Sequence, residues 1–72
     1  GFYFYLTGEF TEPAVIEPTG DTCCVVLDGA TVPGLTLQGA GEFTILASNE
    51  NQVASLSASA AKVSSPFEKM RL

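Results

Sequence analysis

The stretch Glu42-Phe43-Thr44-Ile45-Leu46-Ala47 shows the alternation that most clearly predicts the fold class. In a β-strand successive side chains point to opposite faces, so Phe43, Ile45 and Ala47 fall on one face and the residues between them on the other. One face is therefore apolar and the other mixed. This pattern predicts a half-buried strand whose Phe43, Ile45 and Ala47 side chains lie in the core.

Similar short apolar runs lie on both sides of this stretch, separated by clusters of Gly, Pro, Asp and Thr that favour turns. Pro18, Gly20 and Gly29 supply the fixed or positive φ that tight turns require. The predicted strands are residues 2–6, 14–17, 22–27, 34–38, 42–47 and 52–58. No internal repeat is apparent. We expect an all-β fold, a small β-sandwich or barrel of about five to six short antiparallel strands with extended N- and C-terminal arms.

The segment that follows the central strand permits two interpretations. Asn49-Glu50 suits the tight loop of a hairpin, because Asn tolerates the left-handed backbone conformation. Alternatively, a helix begins at Asn51, with Val53 and Leu56 at helical spacing behind an Asn cap. The serines of this segment disfavour a helix, since their hydroxyls compete for backbone partners. The choice between strand and helix for residues 52–64 stays open.

A chain of 72 residues can form only one domain, and its core is thin. We assign residues 1–65 to a single β-rich domain, with residues 1–8 as a possible exchanged or edge strand, and residues 66–72 to a C-terminal arm. Small domains usually need a disulfide, a metal or association with other chains. The sequence can be examined for each of these.

The two cysteines are adjacent, so their side chains point to opposite faces of a strand and do not suit a disulfide with each other. We expect Cys23 and Cys24 to be reduced, small apolar side chains, with an intermolecular bridge as the alternative. The chain has no His. Asp21 and Asp28 could together bind calcium, but we favour the interpretation that both are solvated loop carboxylates. The sequence therefore predicts no cofactor and no metal.

Catalysis is not expected. A nucleophilic Ser, Thr or Cys needs a nearby base, and the chain has no His and no Lys before Lys62. Gly39-Ala40-Gly41 lacks the Lys and the later Gly of a phosphate-binding loop. The sequence thus predicts a protein that is not an enzyme, and association with other chains is the remaining way to stabilise the fold.

The charge distribution indicates the kind of partner. The formal charge is −5 and argues against nucleic acid and an anionic membrane, both of which attract basic surfaces. All three basic residues lie within residues 62–72, where one acid also lies, so that segment carries +2 and residues 1–61 carry −7. This asymmetry predicts a basic C-terminal arm that reaches the acidic body of another subunit.

The two ends of the chain supply the predicted interface. The N-terminal strand is aromatic on both faces, and so requires a partner surface; the C-terminal arm combines apolar anchors with basic residues. The candidate interface residues are Phe2, Tyr3, Phe4, Tyr5, Lys62, Phe67, Lys69, Met70, Arg71 and Leu72. We also expect that deleting residues 66–72 prevents assembly but leaves the folded body largely intact.

Residues 35–59, LTLQGAGEFTILASNENQVASLSAS, alternate short predicted strands with small residues. In this pattern, in size and in acidity, the chain resembles the small β-rich accessory proteins of tailed bacteriophage particles, namely capsid cement or decoration proteins and small tail or head fibre components. The resemblance implies a structural role on a virion, with synthesis in the host cytoplasm, many copies of the protein, and homo-oligomers that are commonly trimers. It carries no motif, so no site residues follow from it. The alternative is a small β-sandwich that binds a carbohydrate or a protein ligand, with Tyr3 and Tyr5 lining a groove.

Overall fold

Two sheets of parallel strands make up the protein. The computed structural model describes residues 2–17, 22–39, 41–59 and 62–71. The strands are β1 (Phe2–Leu6), β2 (Ala14–Ile16), β3 (Thr22–Leu27), β4 (Leu35–Leu37), β5 (Glu42–Leu46), β6 (Leu56–Ala58) and β7 (Lys62–Ser64), with short 3₁₀ helices at Glu50–Gln52 and Glu68–Met70. One sheet has the order β1-β3-β5-β7 and the other β2-β4-β6, and every pairing is parallel.

The register shows that the chain winds as a solenoid. Phe2 pairs with Cys23, Cys23 with Phe43 and Phe43 with Val63, so the chain returns to the same place after 21, 20 and 20 residues. The first three coils each contribute one strand to the four-stranded sheet and then one to the three-stranded sheet; in the described part of the last coil, β7 is the one strand. Isolated parallel bridges at Glu9–Thr31 and Val32–Val53 continue the pairing between coils on a third side.

The core fills the inside of the coils, where equivalent residues of successive coils stack. On the four-stranded sheet Phe4, Val25 and Ile45 follow one another from coil to coil, and Val25 and Ile45 are completely buried. On the other sheet Ile16 of β2 stacks on Leu37 of β4, and both are buried. Since a single coil cannot enclose a core, burial depends on the neighbouring coils.

Two glycines turn the chain out of the four-stranded sheet at equivalent places. Gly8 follows β1 and Gly29 follows β3, with φ of 81° and 74°. Only glycine adopts this left-handed region without strain. The first two coils therefore share a turn that needs glycine.

A different device turns the chain after β5, where the third coil has no glycine. Asn49 caps the helix Glu50–Gln52, its side-chain oxygen accepting a hydrogen bond from the Asn51 N–H. The buried side chain of Gln52 accepts from the backbone N–H groups of Ser48 and Asn49 and donates through Nε2 to the carbonyl oxygens of Leu27 (3.2 Å) and Ala30 (2.8 Å). One amide thus ties the third coil to the second.

The prediction of an antiparallel sandwich or barrel was wrong, because the strands pair in parallel. Alternation of apolar residues reports which face is buried and says nothing about the direction of the neighbouring strand. The expectation of no internal repeat was wrong for a related reason. The stacked position Phe2, Cys23, Phe43 and Val63 keeps apolar character but no residue identity.

The local predictions fared better. Five of the six predicted strands have bounds within one residue, whereas the sixth covers Leu56–Ala58 alone instead of residues 52–58. Phe43 and Ile45 are buried, as predicted, and Ala47 is half-buried against the core. The hairpin at Asn49-Glu50 and the helix from Asn51 were both wrong, since a 3₁₀ turn and the short strand β6 occupy that segment. Strand β7 was not predicted. No helix in the described part of the chain is long and apolar enough to span a membrane.

Candidate functional site

The outer face of the four-stranded sheet is the surface with the most varied chemistry. Its side chains alternate with the core residues and form columns that run across the strands. From one side of the face to the other, the columns are Thr22, Glu42 and Lys62; then Tyr3, Cys24, Thr44 and Ser64; then Tyr5, Val26 and Leu46. The face therefore changes from charged through hydroxyl-bearing to apolar.

Two tyrosines mark the first strand of this face. Tyr3 and Tyr5 are 70% and 67% exposed, and their ring centroids lie 6.5 Å apart with the ring planes inclined by 19°. Their spacing follows from the two-residue period of β1, which places both side chains on the same side. The pair is an exposed aromatic platform at the edge of the sheet.

A shallow groove of about 260 Å³ adjoins Tyr3. It lies where β1, β3 and β5 begin, because parallel strands start at the same end of the sheet. The lining residues are Phe2, Tyr3, Thr22, Cys23, Cys24, Glu42 and Thr44. The lining thus includes two aromatic rings, three hydroxyls, a carboxylate and two thiols.

The two cysteines lie on opposite faces of β3, as the alternation predicted. Cys23 is buried and Cys24 is half-buried, and both are free thiols. Burial, and secondarily the charge of a neighbouring Cys24 thiolate, raises the pKa of the Cys23 thiol. Since the thiolate is the reactive form, Cys23 is the less reactive of the two.

The groove is equipped for binding by stacking and hydrogen bonding. Within the described residues there is no cluster of three or more His, Cys, Asp or Glu side chains that could hold a metal ion. Of the conceivable calcium pair, Asp28 is exposed beside Gly29, and Asp21 lies outside the described residues. The absence of catalysis stays a prediction.

The predicted N-terminal interface divides into two surfaces. Phe2 and Phe4 share register with the core residues Cys23 and Val25, so they face the inside of the solenoid at its first coil. Tyr3 and Tyr5 belong to the outer face. The aromatic strand therefore takes part in two separate surfaces, which the sequence alone did not distinguish.

The predicted C-terminal interface residues have diverse environments. Met70 is completely buried and Phe67 is half-buried against the core, while Lys62 and Lys69 are exposed. Arg71 donates from Nε to the Ser65 carbonyl oxygen at 2.8 Å. Its terminal nitrogen Nη2 donates to the Pro66 carbonyl oxygen at 3.3 Å. Leu72 lies outside the described residues. The arm packs on its own domain, and whether any of its residues contacts a partner stays a prediction.

Sequence reasoning missed the polar members of the groove: Thr22, Cys24, Glu42 and Thr44. They are far apart in the sequence and come together only because successive coils return to the same position. The spacing of about 20 residues between Cys24 and Thr44 was the available signal. Comparison with protein-family models, with curated proteins and with solved structures gave no match.

Proposed function

We propose that this protein is a structural assembly protein, whose first coil pairs with a second copy of the chain. The observation that carries the proposal is the incomplete burial of what we name the first-coil face. This face consists of the apolar side chains Phe2, Phe4, Leu6 and Phe10.

The same positions are buried one coil further along. Phe2 is 42% exposed, whereas its partner Cys23 is 4% exposed, and the half-buried Phe4 lies beside the fully buried Val25. Fully burying a Phe side chain contributes about 1.5–3 kcal/mol. For a domain of this size such a gain is a considerable part of the net stability.

The backbone of β1 also supports pairing. The Leu6 carbonyl oxygen accepts a hydrogen bond from the Asp28 N–H on the adjacent coil, so the backbone groups of Leu6 point toward β3. Peptide groups alternate in direction along a strand, so those of Tyr3 and Tyr5 point away from β3. They form an edge suited to a further strand.

A second copy fits this edge by its charge. No residue of β1 is charged, so pairing two such strands brings no like charges together, even though the whole chain carries −5. Two faces that cover each other leave no free face for a third copy. The arrangement therefore favours a two-fold dimer over the trimer that the phage resemblance implies.

On that resemblance alone, we further propose that the assembly belongs to a virion, with this chain as an accessory protein that stabilises neighbouring subunits. Lys62 and Lys69 are exposed and suit contacts with the acidic body of a neighbour. Such contacts weaken as the salt concentration rises.

Sedimentation velocity over a dilution series tests the dimer. The wild-type protein should change from dimer to monomer on dilution, and Phe4→Lys, which places a charge on the first-coil face, should be monomeric throughout. Val15→Lys is the matched control, because Val15 is 62% exposed and lies on β2, the next strand along the chain and part of the other sheet. It should dimerise like the wild type.

Circular dichroism verifies that both variants fold. Hydrogen exchange gives an independent measurement, in which the Tyr3 and Tyr5 amides of the wild type should become more protected as the protein concentration rises. A wild-type protein that sediments as a monomer at every concentration would refute the proposal, as would dimerisation that survives Phe4→Lys.

A further inference from the structure

We propose that the outer face of the four-stranded sheet binds a neutral saccharide, with Tyr3 and Tyr5 as the stacking platform and the groove beside Tyr3 as the position of one sugar ring. This function is additional to assembly. The first-coil face lies on the inside and end of the solenoid and this site on the outside. They share Phe2, which also lines the groove, so Phe4 and Tyr3, which each belong to one surface only, are the positions that test them separately.

The tyrosines are suited to a ligand that has both apolar and polar surfaces. A pyranose ring presents C–H groups on its faces and hydroxyls around its rim, so it stacks on an aromatic ring and still needs hydrogen bonds at its edge. Tyr3 and Tyr5 supply exposed rings with phenolic hydroxyls. Their nearly parallel planes allow both rings to take part in one site.

The groove supplies the hydrogen-bonding groups at the position that such a ligand requires. Thr22 and Thr44 bring hydroxyls that donate and accept, and Glu42 brings a carboxylate that accepts from sugar hydroxyls. A volume of about 260 Å³ is somewhat below the usual range of about 300–1,000 Å³ for small-molecule pockets. It therefore suits one ring of a longer chain better than a whole ligand.

Electrostatics selects the ligand class. Among the described residues that line the groove, Glu42 alone is charged, so the groove repels an anionic ligand; Lys62 pairs with Glu42 on the same face but does not line the groove. A protein partner normally requires an interface of about 1,200–2,000 Å² with an apolar centre. The centre of this face is instead the column of Cys24, Thr44 and Ser64. A neutral saccharide satisfies both conditions.

The composition of the chain provides a label-free test. Tyr3 and Tyr5 are its only tyrosines and it has no Trp, so intrinsic fluorescence reports on this site alone. We would titrate the protein separately with maltohexaose, cellohexaose, mannohexaose and chitohexaose. At least one should change the fluorescence with saturation, with a dissociation constant of about 1 mM or tighter.

Protection of Cys24 locates the binding. The half-buried Cys24 should react with iodoacetamide faster than Cys23, whose thiol is buried with a raised pKa. The saccharide that changes the fluorescence should slow alkylation of Cys24 several-fold. Because the two cysteines are adjacent and lie in one peptide, tandem mass spectrometry that fragments the bond between them assigns the label to one or the other.

Three variants complete the design. Tyr3→Ala should weaken binding at least tenfold, whereas Tyr3→Phe keeps the ring and should retain most of it; calorimetry measures both. Phe4→Lys should bind as the wild type does, which separates this site from assembly. The proposal is overturned if none of the four saccharides changes fluorescence, if bound saccharide leaves Cys24 unprotected, or if Tyr3→Ala binds normally.

Discussion

Gln52 makes the largest single polar contribution to the core that the structure describes. Its buried side-chain amide accepts from two backbone N–H groups of its own turn and donates to the Leu27 and Ala30 carbonyl oxygens of the preceding coil. Among the residues that the structure describes, it is one of two buried polar residues, the other being Ser65. A polar side chain at this depth persists because every hydrogen-bonding group of its amide has a partner.

Replacing Gln52 with Met, which has similar length and no amide, should therefore destabilise the fold severely. The change leaves two carbonyl oxygens and two N–H groups without this partner, and each buried unsatisfied group costs about 1–3 kcal/mol. We expect a loss of about 3 kcal/mol, which corresponds to a fall in Tm of more than about 10 °C for a domain of this size. Thermal unfolding followed by circular dichroism measures it.

The same substitution at the exposed Gln38 is the control, and it should change the free energy of unfolding by less than about 0.5 kcal/mol. Equal effects at the two positions would show that the amide of Gln52 contributes nothing specific.

Gly29 tests the turn that the first two coils share. With φ at 74°, an Ala at this position is strained, although its Cβ would meet no atom within 4 Å. The cost is therefore purely conformational, about 1 kcal/mol, or about 4–8 °C in Tm. Gly29→Asn should cost less, because Asn tolerates the left-handed region. If Ala is no worse than Asn in thermal unfolding, the turn does not have this conformation.

At the scale of the elements, the strands were predictable and their pairing was not. Phe43 and Ile45 show the two-residue period, and the run from Cys23 to Leu27 is continuously apolar; both signals lie in residues that are adjacent in sequence. Pairing direction depends on the whole crossover between β1 and β3, which contains β2 and the bridge at Glu9. No short window of sequence contains that information.

The candidate site shows the same division. Tyr3 and Tyr5 were singled out because tyrosine, with an aromatic ring and a hydroxyl, suits a hydrated interface, and both lie in one short predicted strand. Glu42 and Thr44 were not, because they reach the groove only through the registers of β3 with β1 and of β5 with β3. Site residues that lie on a single strand could be predicted from the sequence. Site residues that come together from different coils could be identified only once the pairing of the strands was known.

The C-terminal 3₁₀ helix Glu68–Met70 packs on its own domain, whereas the sequence predicted an arm that contacts a partner. Met70 is completely buried, so deleting residues 66–72 should destabilise the body, contrary to the expectation from sequence. Met70→Ala should lower the free energy of unfolding by about 2–5 kcal/mol. Chemical denaturation measures this loss.

Lys69→Ala, in the same helix at an exposed position, is the matched control and should remain within about 0.5 kcal/mol of the wild type. If both variants are as stable as the wild type, Met70 does not pack in the core, and the arm is available to a partner as the sequence suggested.

For the whole molecule, stability follows from stacking along one direction. Each coil contacts only its neighbours, so β3 and β5 are paired on both sides, while β1 and β7 are each paired on one side among the described strands. In such solenoids the free energy is close to a sum of terms for each repeat and its interfaces. The end strands therefore open more easily than the central ones.

Hydrogen exchange at a concentration where sedimentation shows only the monomer should reveal this gradient. We expect the slowest exchange in the amides around Val25 and Ile45, which lie in doubly paired strands with completely buried side chains, and faster exchange in β1. An antiparallel sandwich would instead protect its central strands irrespective of their order along the chain. Exchange as slow in β1 as in β3 at the lowest concentration would mean that the first coil is not held by β3 alone, and would contradict the one-directional stacking.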